Sequence, residues 1–376
     1  MWTSRIYLFQ LKSDAVNLQE EIKRFPTTRY QGSKRKILPW IYDCIKDIEF
    51  TTALDAFGGS GMVSYLLKKM GKSVTFNDIL HFNHIIGESI ISNNEFLLTG
   101  SDVEYILNKS KRIKTFISDN FQGIYYLDEE NIWIDTVICN IENLSEKYTG
   151  DELKCKKSIA YNALFQSCLT KRPYNLFHRK NLEMRTRDVQ RNFGNKTTWE
   201  TPFPIHFKKF ISEINQSICK SDMPCYSINK DVFEIENIDY DLVYIDSPYI
   251  KKNDGHNESS DYLKCYHFLE GISKYNDWNN LIDSTTINKR IKKDIMPNYF
   301  TPKEALNTFE KLIEKFQNSI IVISYKYGGS PSIEELTEML SRYKQQVRIH
   351  DKHYKYALNK QNGNAILNRE YILIGY

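Results

Sequence analysis

The sequence lacks any C-x-x-C pair, and its seven cysteines are scattered between positions 44 and 265. This pattern favours reduced thiols and indicates neither a disulfide framework nor a zinc site. No apolar run approaches the length of a membrane span, and residues 1–10 are too short and mixed for the apolar core of a signal peptide. We therefore expect a cytoplasmic protein with no membrane partner and no metal site.

The chain also has little net charge, +4 over 376 residues, which by itself indicates no partner. The charge is unevenly distributed, because residues 151–210 hold 13 Lys or Arg against 5 Asp or Glu. This local excess is typical of a surface that binds a polyanion. A solvated basic surface is the alternative interpretation.

A run of strand-forming residues ends abruptly at Asp246-Ser247-Pro248-Tyr249. Its alternating apolar pattern predicts a buried strand, and Pro248 must end it because proline has no backbone N–H. The turn would hold a carboxylate and an aromatic ring at the carboxyl edge of a sheet, where open α/β folds bind ligands. An acceptor beside a flat ring suits a planar base that carries an amino group.

A second site is predicted where the strand 52–57 meets Gly58-Gly59-Ser60-Gly61 and a helix. The next strand closes on Asp78, 23 residues after Asp55. Such a β-α-β unit suits an adenosine-containing cofactor, because glycines admit the ligand closely and the acid binds ribose hydroxyls. The G-x-G-x-x-G spacing of dinucleotide-binding proteins is absent, which argues against a NAD-dependent enzyme. S-adenosylmethionine, which is cationic and has no phosphate, fits better beside Asp55.

A basic turn at residues 29–36 precedes a predicted helix and contains Gly32-Ser33-Lys34. Backbone N–H groups at a helix start, together with a lysine, suit a carboxylate or a phosphate.

The alternation of strands and helices lapses between residues 95 and 225, where we predict a mainly helical insertion with strands at 123–127 and 132–137. Within it, basic and amide side chains interleave with aromatic ones, a combination that can contact phosphates and bases. The candidate DNA-binding residues are Lys171, Arg172, Tyr174, Asn175, Arg179, Lys180, Asn181, Arg185, Arg187, Arg191 and Lys196. We therefore predict that residues 95–225 form a recognition lobe for a nucleic acid, inserted into a second domain formed by residues 1–94 and 226–376.

After residue 225 the α/β alternation resumes. We predict a polar loop at 251–261 and a helix at 303–316, and we interpret His267 as a packed residue on a helix face rather than a catalytic one. Residues 346–350 and 371–376 are predicted to pair as a closing β-hairpin around a polar link at 359–369.

Three motifs resemble, in order, those of the Dam-like (alpha-group) DNA adenine-N6 methyltransferases. Residues 29–34 resemble the amino-terminal cofactor motif of that family, and residues 55–61 resemble its D-x-F-x-G-x-G motif. Asp246-Ser247-Pro248-Tyr249 resembles its D-P-P-Y motif. The resemblance covers about 29–95 and 225–376 and is looser in the insertion, where the family has its target-recognition domain.

The resemblance implies a Rossmann-like, S-adenosylmethionine-dependent methyltransferase fold with a seven-stranded, mostly parallel sheet and an antiparallel last strand. It implies that Asp246, Ser247, Pro248 and Tyr249 are the catalytic residues, with the Asp246 carboxylate bonded to the target amino group and Tyr249 stacked on the base. It also implies a set of cofactor-binding residues. These are Tyr30, Lys34, Asp55, Ala56, Phe57, Gly58, Gly59, Ser60, Gly61, Asp78, Asp231 and Val232.

The implied activity is methylation of N6 of a flipped-out adenine in double-stranded DNA, in a restriction-modification system with a cognate endonuclease or as an orphan or phage enzyme. The sequence departs from the family at Ser247, where the first proline of the motif is expected. Serine keeps the backbone carbonyl but loses rigidity, and its Oγ is free to make a contact of its own. The alternatives are an RNA adenine or DNA cytosine-N4 methyltransferase and a catalytically inactive DNA-binding protein.

Overall fold

The computed structural model describes residues 20–108, 114–187, 195–236, 238–250, 261–353 and 369–376. Seven strands in these ranges form one sheet. Their bounds are Thr52–Asp55 (β1), Ser73–Asn77 (β2), Cys225–Ile228 (β3), Leu242–Ile245 (β4), Ile320–Lys326 (β5), Val347–His353 (β6) and Arg369–Gly375 (β7).

The strands lie in the order β3-β2-β1-β4-β5-β7-β6. Strands β1 to β5 are paired in parallel, whereas β7 runs antiparallel to both β5 and β6. The prediction of a mostly parallel, seven-stranded sheet is thereby confirmed. The direction in which successive strands are added reverses between β1 and β4, and such a reversal opens a crevice at the carboxyl ends of the strands.

Helices cover the sheet and form most of the chain between β2 and β3. Those of the described residues are Leu38–Ile45 (α1), Met62–Lys69 (α2), His81–Gly87 (α3), Gly100–Leu107 (α4), Phe116–Asn120 (α5), Asp128–Glu142 (α6), Gly150–Thr170 (α7), Glu183–Thr186 (α8), Asn195–Glu200 (α9), Phe203–Ser217 (α10), Tyr262–Ser273 (α11), Trp278–Leu281 (α12), Ala305–Lys315 (α13) and Ile333–Tyr343 (α14). A π-helical turn, Glu88–Ser92, extends α3.

Apolar side chains from the strands pack into two clusters. Leu54 and Val243 join the smaller cluster with Leu312 of α13 and Leu340 of α14. Phe76 and other strand residues join a larger cluster that continues into α4, α6, α7 and α10. The helices between β2 and β3 therefore share their apolar core with the sheet. The division of the chain into two domains stays a prediction.

Two predicted strands are wrong. Residues 132–137 lie within α6, and residues 123–127 contain only one end of an isolated bridge between Gln122 and Tyr126. The β-branched and aromatic residues at 132–137 favour a strand, but the acidic first turn, residues 128–130, favours a helix because negative charge stabilises a helix N-terminus. The buried positions of α6 also recur at helical spacing, as Ile134, Ile138 and Ile141 do.

The pairing of the last two strands is confirmed over Val347–His353 and Arg369–Gly375. Residues 354–368 lie outside the described part of the chain, as do 1–19 and 251–260, so the predictions made for those ranges have no structural counterpart here. His267 is fully buried in α11, which confirms its interpretation as a packed residue.

Candidate active site

A cavity lies at the carboxyl ends of β1, β2 and β4, beside the point where the strand order reverses. It brings together the turn at 30–34, the turn after β1 and the motif after β4, which are far apart in the sequence. The predicted site residues that line it are Tyr30, Lys34, Asp55, Phe57, Gly58, Gly59, Ser60, Asp78, Asp246 and Pro248.

The glycines after β1 are needed for close packing as well as for their backbone angles. A Cβ at position 58 would lie 2.1 Å from the Phe76 ring, and one at position 59 would lie 3.1 Å from the Tyr30 ring. Gly59 and Gly61 have φ of 51° and 77°, in the region that favours glycine. Any side chain at these positions would push the turn away from β2 or fill the cavity wall.

Asp55 and Asp78 are both buried at the floor of the cavity. Asp55 accepts a hydrogen bond from Ser64 Oγ at 2.6 Å, and Asp78 accepts one from the Gly59 N–H and one from the Leu80 N–H, each at 2.9 Å. Burial raises the pKa of Asp55 to about 7, and nearby Asp246 and Asp78 add to that rise. Burial also raises the pKa of Asp78 to about 6, although its hydrogen bonds oppose the shift. These carboxylates make the floor favourable for a cation.

The carboxylate of Asp246 is paired with Lys34, whose Nζ lies 2.9 Å from Asp246 Oδ1. The Lys34 side chain is 7% exposed and that of Asp246 is 18% exposed, so the pair is shielded but open to the cavity. Burial raises the pKa of Asp246 to about 6 in spite of the opposing charge of Lys34. Asp246 is therefore ionised at neutral pH, which an acceptor for an amino group requires.

Tyr249 lies beside this pair but is not among the residues that line the cavity. Lys34 Nζ donates a hydrogen bond to its hydroxyl, which in turn donates to Glu370 Oε2 of β7 at 3.0 Å. The Tyr249 ring packs edge-on against Tyr325, with ring centroids 5.4 Å apart. The ring is therefore fixed at both its edge and its hydroxyl.

Ser247 is 3% exposed, and among the described residues its Oγ has no hydrogen-bond partner. The structure therefore gives this hydroxyl no structural role that would explain serine in place of proline. Pro248 follows it on the cavity wall.

Four predicted cofactor-binding residues lie beside the cavity rather than on its wall. Ala56 is buried under the turn, and Gly61 is the N-cap residue of α2. Asp231 accepts hydrogen bonds from the Phe233 N–H at 2.9 Å and the Tyr299 hydroxyl at 2.7 Å, and Val232 is buried. All four follow strand ends at the same edge of the sheet as the cavity.

Sequence reasoning missed an aromatic group on α11 and the acid on β7. Tyr266 stacks on Tyr30 with centroids 4.8 Å apart and planes 8° apart, and Tyr262 lines the cavity. Tyr262 and Tyr266 are four residues apart, which places them on one face of the helix. This spacing could have been recognised in the sequence. Glu370, which is 2% exposed, gave no such signal, because its contact with Tyr249 depends on the pairing of β5 with β7.

The side chains of three predicted DNA-binding residues are largely enclosed by the protein, which argues against their contact with DNA. Arg172 is 1% exposed and donates to the backbone carbonyls of Leu176, Arg179 and Lys180. Lys171 and Arg185 both form ion pairs with Glu130, with Nζ–Oε1 and Nη2–Oε1 distances of 2.8 and 2.7 Å. A buried cation bonded within the protein is not available to a phosphate, so these side chains stabilise the fold of this segment.

The other predicted DNA-binding residues have accessible side chains wherever the structure describes them. Tyr174, Arg179, Lys180, Arg187 and Lys196 are exposed, and Asn175 and Asn181 are partly exposed. Arg191 lies outside the described residues. These exposed groups remain candidates for contact with DNA.

The described residues contain no cluster of His, Cys, Asp and Glu able to hold a metal ion. In the same ranges, no helix is long and apolar enough to span a membrane. The cavity has three carboxylates, a buried lysine and a wall of aromatic rings, a donor set that suits a cationic ligand with its own carboxylate.

Comparisons with known proteins agree with this geometry. The chain is 27% identical over 355 residues to the Type II methyltransferase M2.HphI of Haemophilus parahaemolyticus, with 92% of this chain and 97% of that protein covered. It is 22% identical to the Type II methyltransferase M.NlaIII of Neisseria lactamica, with 92% and 98% covered. It is 24% identical to the Type II methyltransferase M.FokI of Planomicrobium okeanokoites, of which it spans 52%.

A family model described as D12 class N6 adenine-specific DNA methyltransferase matches residues 30–358. The match begins at Tyr30, which stacks on Tyr266, and includes every strand end that borders the cavity. The chain belongs to the D12 class N6 adenine-specific DNA methyltransferase family.

Proposed function

We propose that this adenine-specific DNA methyltransferase binds S-adenosylmethionine in the cavity and methylates N6 of an adenine extruded from duplex DNA. The observation that carries the proposal is the shared cavity, in which Asp246 lies beside the glycine turn of residues 58–61. We further propose a Rossmann-like fold of the Dam-like alpha group, with residues 95–225 as the target-recognition insertion. The strand order and the position of the helices between β2 and β3 support this assignment.

The residues around the cavity fit this cofactor. S-adenosylmethionine, when bound, supplies an electrophilic methyl group on a positively charged sulfur. Lys34 binds its carboxylate, Asp55 and the turn 56–61 hold its methionine part, and Tyr30 closes the wall above Gly59. Asp78 binds the ribose hydroxyls, and Asp231 with Val232 contacts the adenine. Neutralisation of buried carboxylates by a cation favours binding, because burial alone disfavours their ionised forms.

Asp246 prepares the target nitrogen for attack. Its carboxylate accepts one N–H of the amino group and the Ser247 carbonyl accepts the other, which favours a pyramidal nitrogen with an available lone pair. Positive charge develops on that nitrogen during transfer, so the carboxylate stabilises the transition state more than the ground state. The proton finally leaves the nitrogen for solvent or for this carboxylate. No covalent enzyme intermediate is needed, because positioning and electrostatics suffice.

Tyr249 captures the extruded base. An amino group in a duplex is reached only when its nucleotide is flipped out of the stack. Stacking on an aromatic ring returns about 1–3 kcal/mol per base. The contacts of Tyr249 with Lys34, Glu370 and Tyr325 support this role, because they hold the ring in one orientation before the base arrives.

The biological setting is proposed from the relatives. Those named above are Type II methyltransferases, and we propose that this chain likewise protects sites in DNA that a cognate endonuclease cuts. RNA adenine methylation and DNA cytosine-N4 methylation remain outcomes to be tested, as does an inactive DNA-binding role.

The test is incubation with random-sequence duplex DNA and S-adenosylmethionine labelled in its methyl group, followed by mapping of the modified base and its neighbours. Single-stranded DNA and RNA of matched composition serve as parallel substrates. We expect N6-methyladenine at one sequence context in duplex DNA. Label on cytosine, label only in RNA, or binding of DNA without transfer would each contradict the proposal.

A further inference from the structure

Among the described residues, two loops contain all of the non-glycine residues whose φ is positive. We call residues 172–181 the tyrosine loop and residues 283–290 the isoleucine loop. Among the described residues, the non-glycine residues with positive φ are Tyr174, Asn175, Asn181 and Lys289, and all of them belong to these loops. A left-handed conformation costs free energy at most non-glycine residues, less so at asparagine, and such residues cluster at functional sites.

The same two loops carry the most exposed large apolar side chains of the described residues. Ile287 is 81% exposed and Tyr174 is 64% exposed, more than any other such residue in those ranges. A single exposed apolar residue is common on protein surfaces. Here two such residues lie on loops that are joined to each other, and exposed apolar groups on neighbouring segments are found at interaction sites.

Asn288 joins the loops. Its side-chain amide donates to the backbone carbonyl of Phe177 at 3.1 Å and to that of His178 at 3.3 Å. The Tyr125 hydroxyl lies within hydrogen-bond distance of the Phe177 carbonyl, at 2.7 Å, and of the Asn288 carbonyl, at 3.1 Å. Asn288 and Tyr125 are buried, so the loops share a polar network beneath their exposed tips.

The isoleucine loop is also held by its own hydrogen bonds. The Asp283 N–H donates to the Arg290 carbonyl at 2.7 Å, and the Lys289 N–H donates to the Thr286 carbonyl at 3.1 Å. The loop closes on a bridge between Ile282 and Ile291. Ile287 is therefore presented at the tip of a tight, ordered loop, and little conformational entropy is lost when it contacts a partner.

The tyrosine loop contacts the helix that borders the active site, and Asn288 joins the isoleucine loop to the tyrosine loop. The Phe177 N–H donates to the carbonyl of Cys265 in α11 at 2.8 Å, and Tyr262 of the same helix lines the cavity. A helix rises about 1.5 Å per residue, so Cys265 lies only about 4.5 Å along the axis from Tyr262. The two loops are therefore connected through α11 to the wall of the cavity.

The charge of this region selects the kind of partner. Lys289, Arg290, Lys292 and Lys293 follow Ile287, and Asp283 is the one residue of residues 283–288 with a formal charge. Arg179 and Lys180 are exposed on the tyrosine loop. Four basic residues against one acid, Asp294, at positions 289–294 give the segment after Ile287 a positive charge, which matches the phosphates of a nucleic acid.

We propose that the isoleucine loop is a second DNA-contacting element, outside the predicted recognition insertion, and that Ile287 packs against the bases or sugars exposed when the target adenine leaves the duplex. This inference rests on the proposed function. In this arrangement the isoleucine loop stabilises the distorted duplex, and the Tyr249 ring stacks on the extruded base.

The test compares Ile287→Ala with wild-type protein on two duplexes that carry the methylation site found by base mapping. One duplex is fully paired, and the other has a mismatch opposite the target adenine, which lowers the cost of extrusion. We expect Ile287→Ala to slow methylation of the paired duplex about tenfold, since side chains inserted beside an extruded base offset lost stacking. The mismatched duplex should recover most of that loss.

Leu306→Ala is the matched control, because Leu306 is an exposed aliphatic residue on α13, outside both loops. It should behave as wild type on both duplexes. A Lys289→Ala variant should reduce the salt dependence of DNA binding by about one phosphate contact. Wild-type rates for Ile287→Ala on the paired duplex, or an equal loss on both duplexes, would overturn the inference. Failure of the wild-type protein to methylate either duplex would instead overturn the proposed function.

Discussion

Lys34 Nζ lies 2.9 Å from Asp246 Oδ1, so a residue predicted to bind the cofactor touches the residue predicted to bind the target amino group. The same ammonium donates to the Tyr249 hydroxyl. One side chain thus contacts both the acid and the aromatic residue of the motif after β4. Lys34 therefore couples the proposed cofactor subsite to the proposed target subsite. If the carboxylate of a bound cofactor attracts the Lys34 ammonium, the electrostatic environment of Asp246 changes as well.

Asp246→Asn should abolish most methyl transfer while cofactor binding stays within a few-fold of wild type. Loss of one preorganised charged acceptor costs on the order of 10²–10³ in rate, and the amide keeps the size of the side chain. Single-turnover methylation and calorimetric titration of S-adenosylmethionine measure the two effects separately. A variant that no longer binds the cofactor would place Asp246 in the cofactor site instead.

Lys34→Met should move the acid limb of the pH–rate profile to higher pH. Burial raises the pKa of Asp246 to about 6 and Lys34 opposes that rise, so loss of the ammonium lets the pKa rise further. Rates should be measured from pH 5 to 9 at saturating cofactor, because Lys34→Met also weakens cofactor binding. Lys36→Met, at an exposed position two residues away, should keep the wild-type profile.

Asp55→Asn should stabilise the protein above neutral pH. The pKa of Asp55 is about 7 in the folded state and near its ordinary value of 3.8 in the unfolded chain, because burial disfavours the charge. Its contribution to stability is complete below about pH 4 and is lost as the pH rises through about 7. The amide variant should unfold with a free energy that is higher by a few kcal/mol at pH 8 and depends less on pH. Denaturant unfolding at pH 5 and pH 8 measures this, and equal stabilisation at both values would contradict it.

Tyr249→Ala should weaken capture of the target base by about 1–3 kcal/mol, the value of a lost stacking contact. Tyr249→Phe keeps the ring and should lose less, but it removes the hydroxyl bonded to Glu370. The fluorescence of 2-aminopurine at the target position reports extrusion of the base in each variant. Identical fluorescence in wild type and Tyr249→Ala would remove the stacking role.

Arg172→Ala should lower thermal stability rather than affinity for DNA alone. Its buried guanidinium bonds three backbone carbonyls of the tyrosine loop, and leaving buried carbonyls unpaired costs about 1–3 kcal/mol each. Arg187→Ala, at an exposed position, should leave the melting temperature unchanged and weaken DNA binding at low salt. Normal stability of Arg172→Ala would contradict the structural role assigned to it.

The site was largely predictable because its residues follow strand ends. Asp55, Asp78 and Asp246 each end or directly follow a strand, and parallel strands bring their carboxyl ends to one edge. The apolar runs that precede these acids predicted the strands, and Pro248 marked the end of β4. The number of strands was implied by the resemblance to the family, and the alternation of strands and helices agreed with it.

The segment between β2 and β3 was predicted less well, because its tertiary contacts override local patterns. Residues 132–137 are rich in β-branched and aromatic side chains, as strands are, yet they lie in a helix that packs in the core. Lys171 and Arg185 look like surface cations in the sequence, but Glu130 pairs with both inside the fold. A partner 41 or 55 residues away leaves no trace in the local composition, so buried and exposed basic residues cannot be told apart.

The acidic floor of the cavity has a consequence for the lifetime of the protein in the cell. Burial raises the pKa values of Asp55, Asp78 and Asp246, and the charges of Asp246 and Asp78 raise that of Asp55 further. A bound cation would stabilise the ionised forms of these carboxylates. Ligands that bind only the folded state increase its population, and cellular proteases degrade the unfolded chain. Under the proposed function S-adenosylmethionine is such a ligand, so the amount of folded enzyme is expected to rise with the concentration of that cofactor.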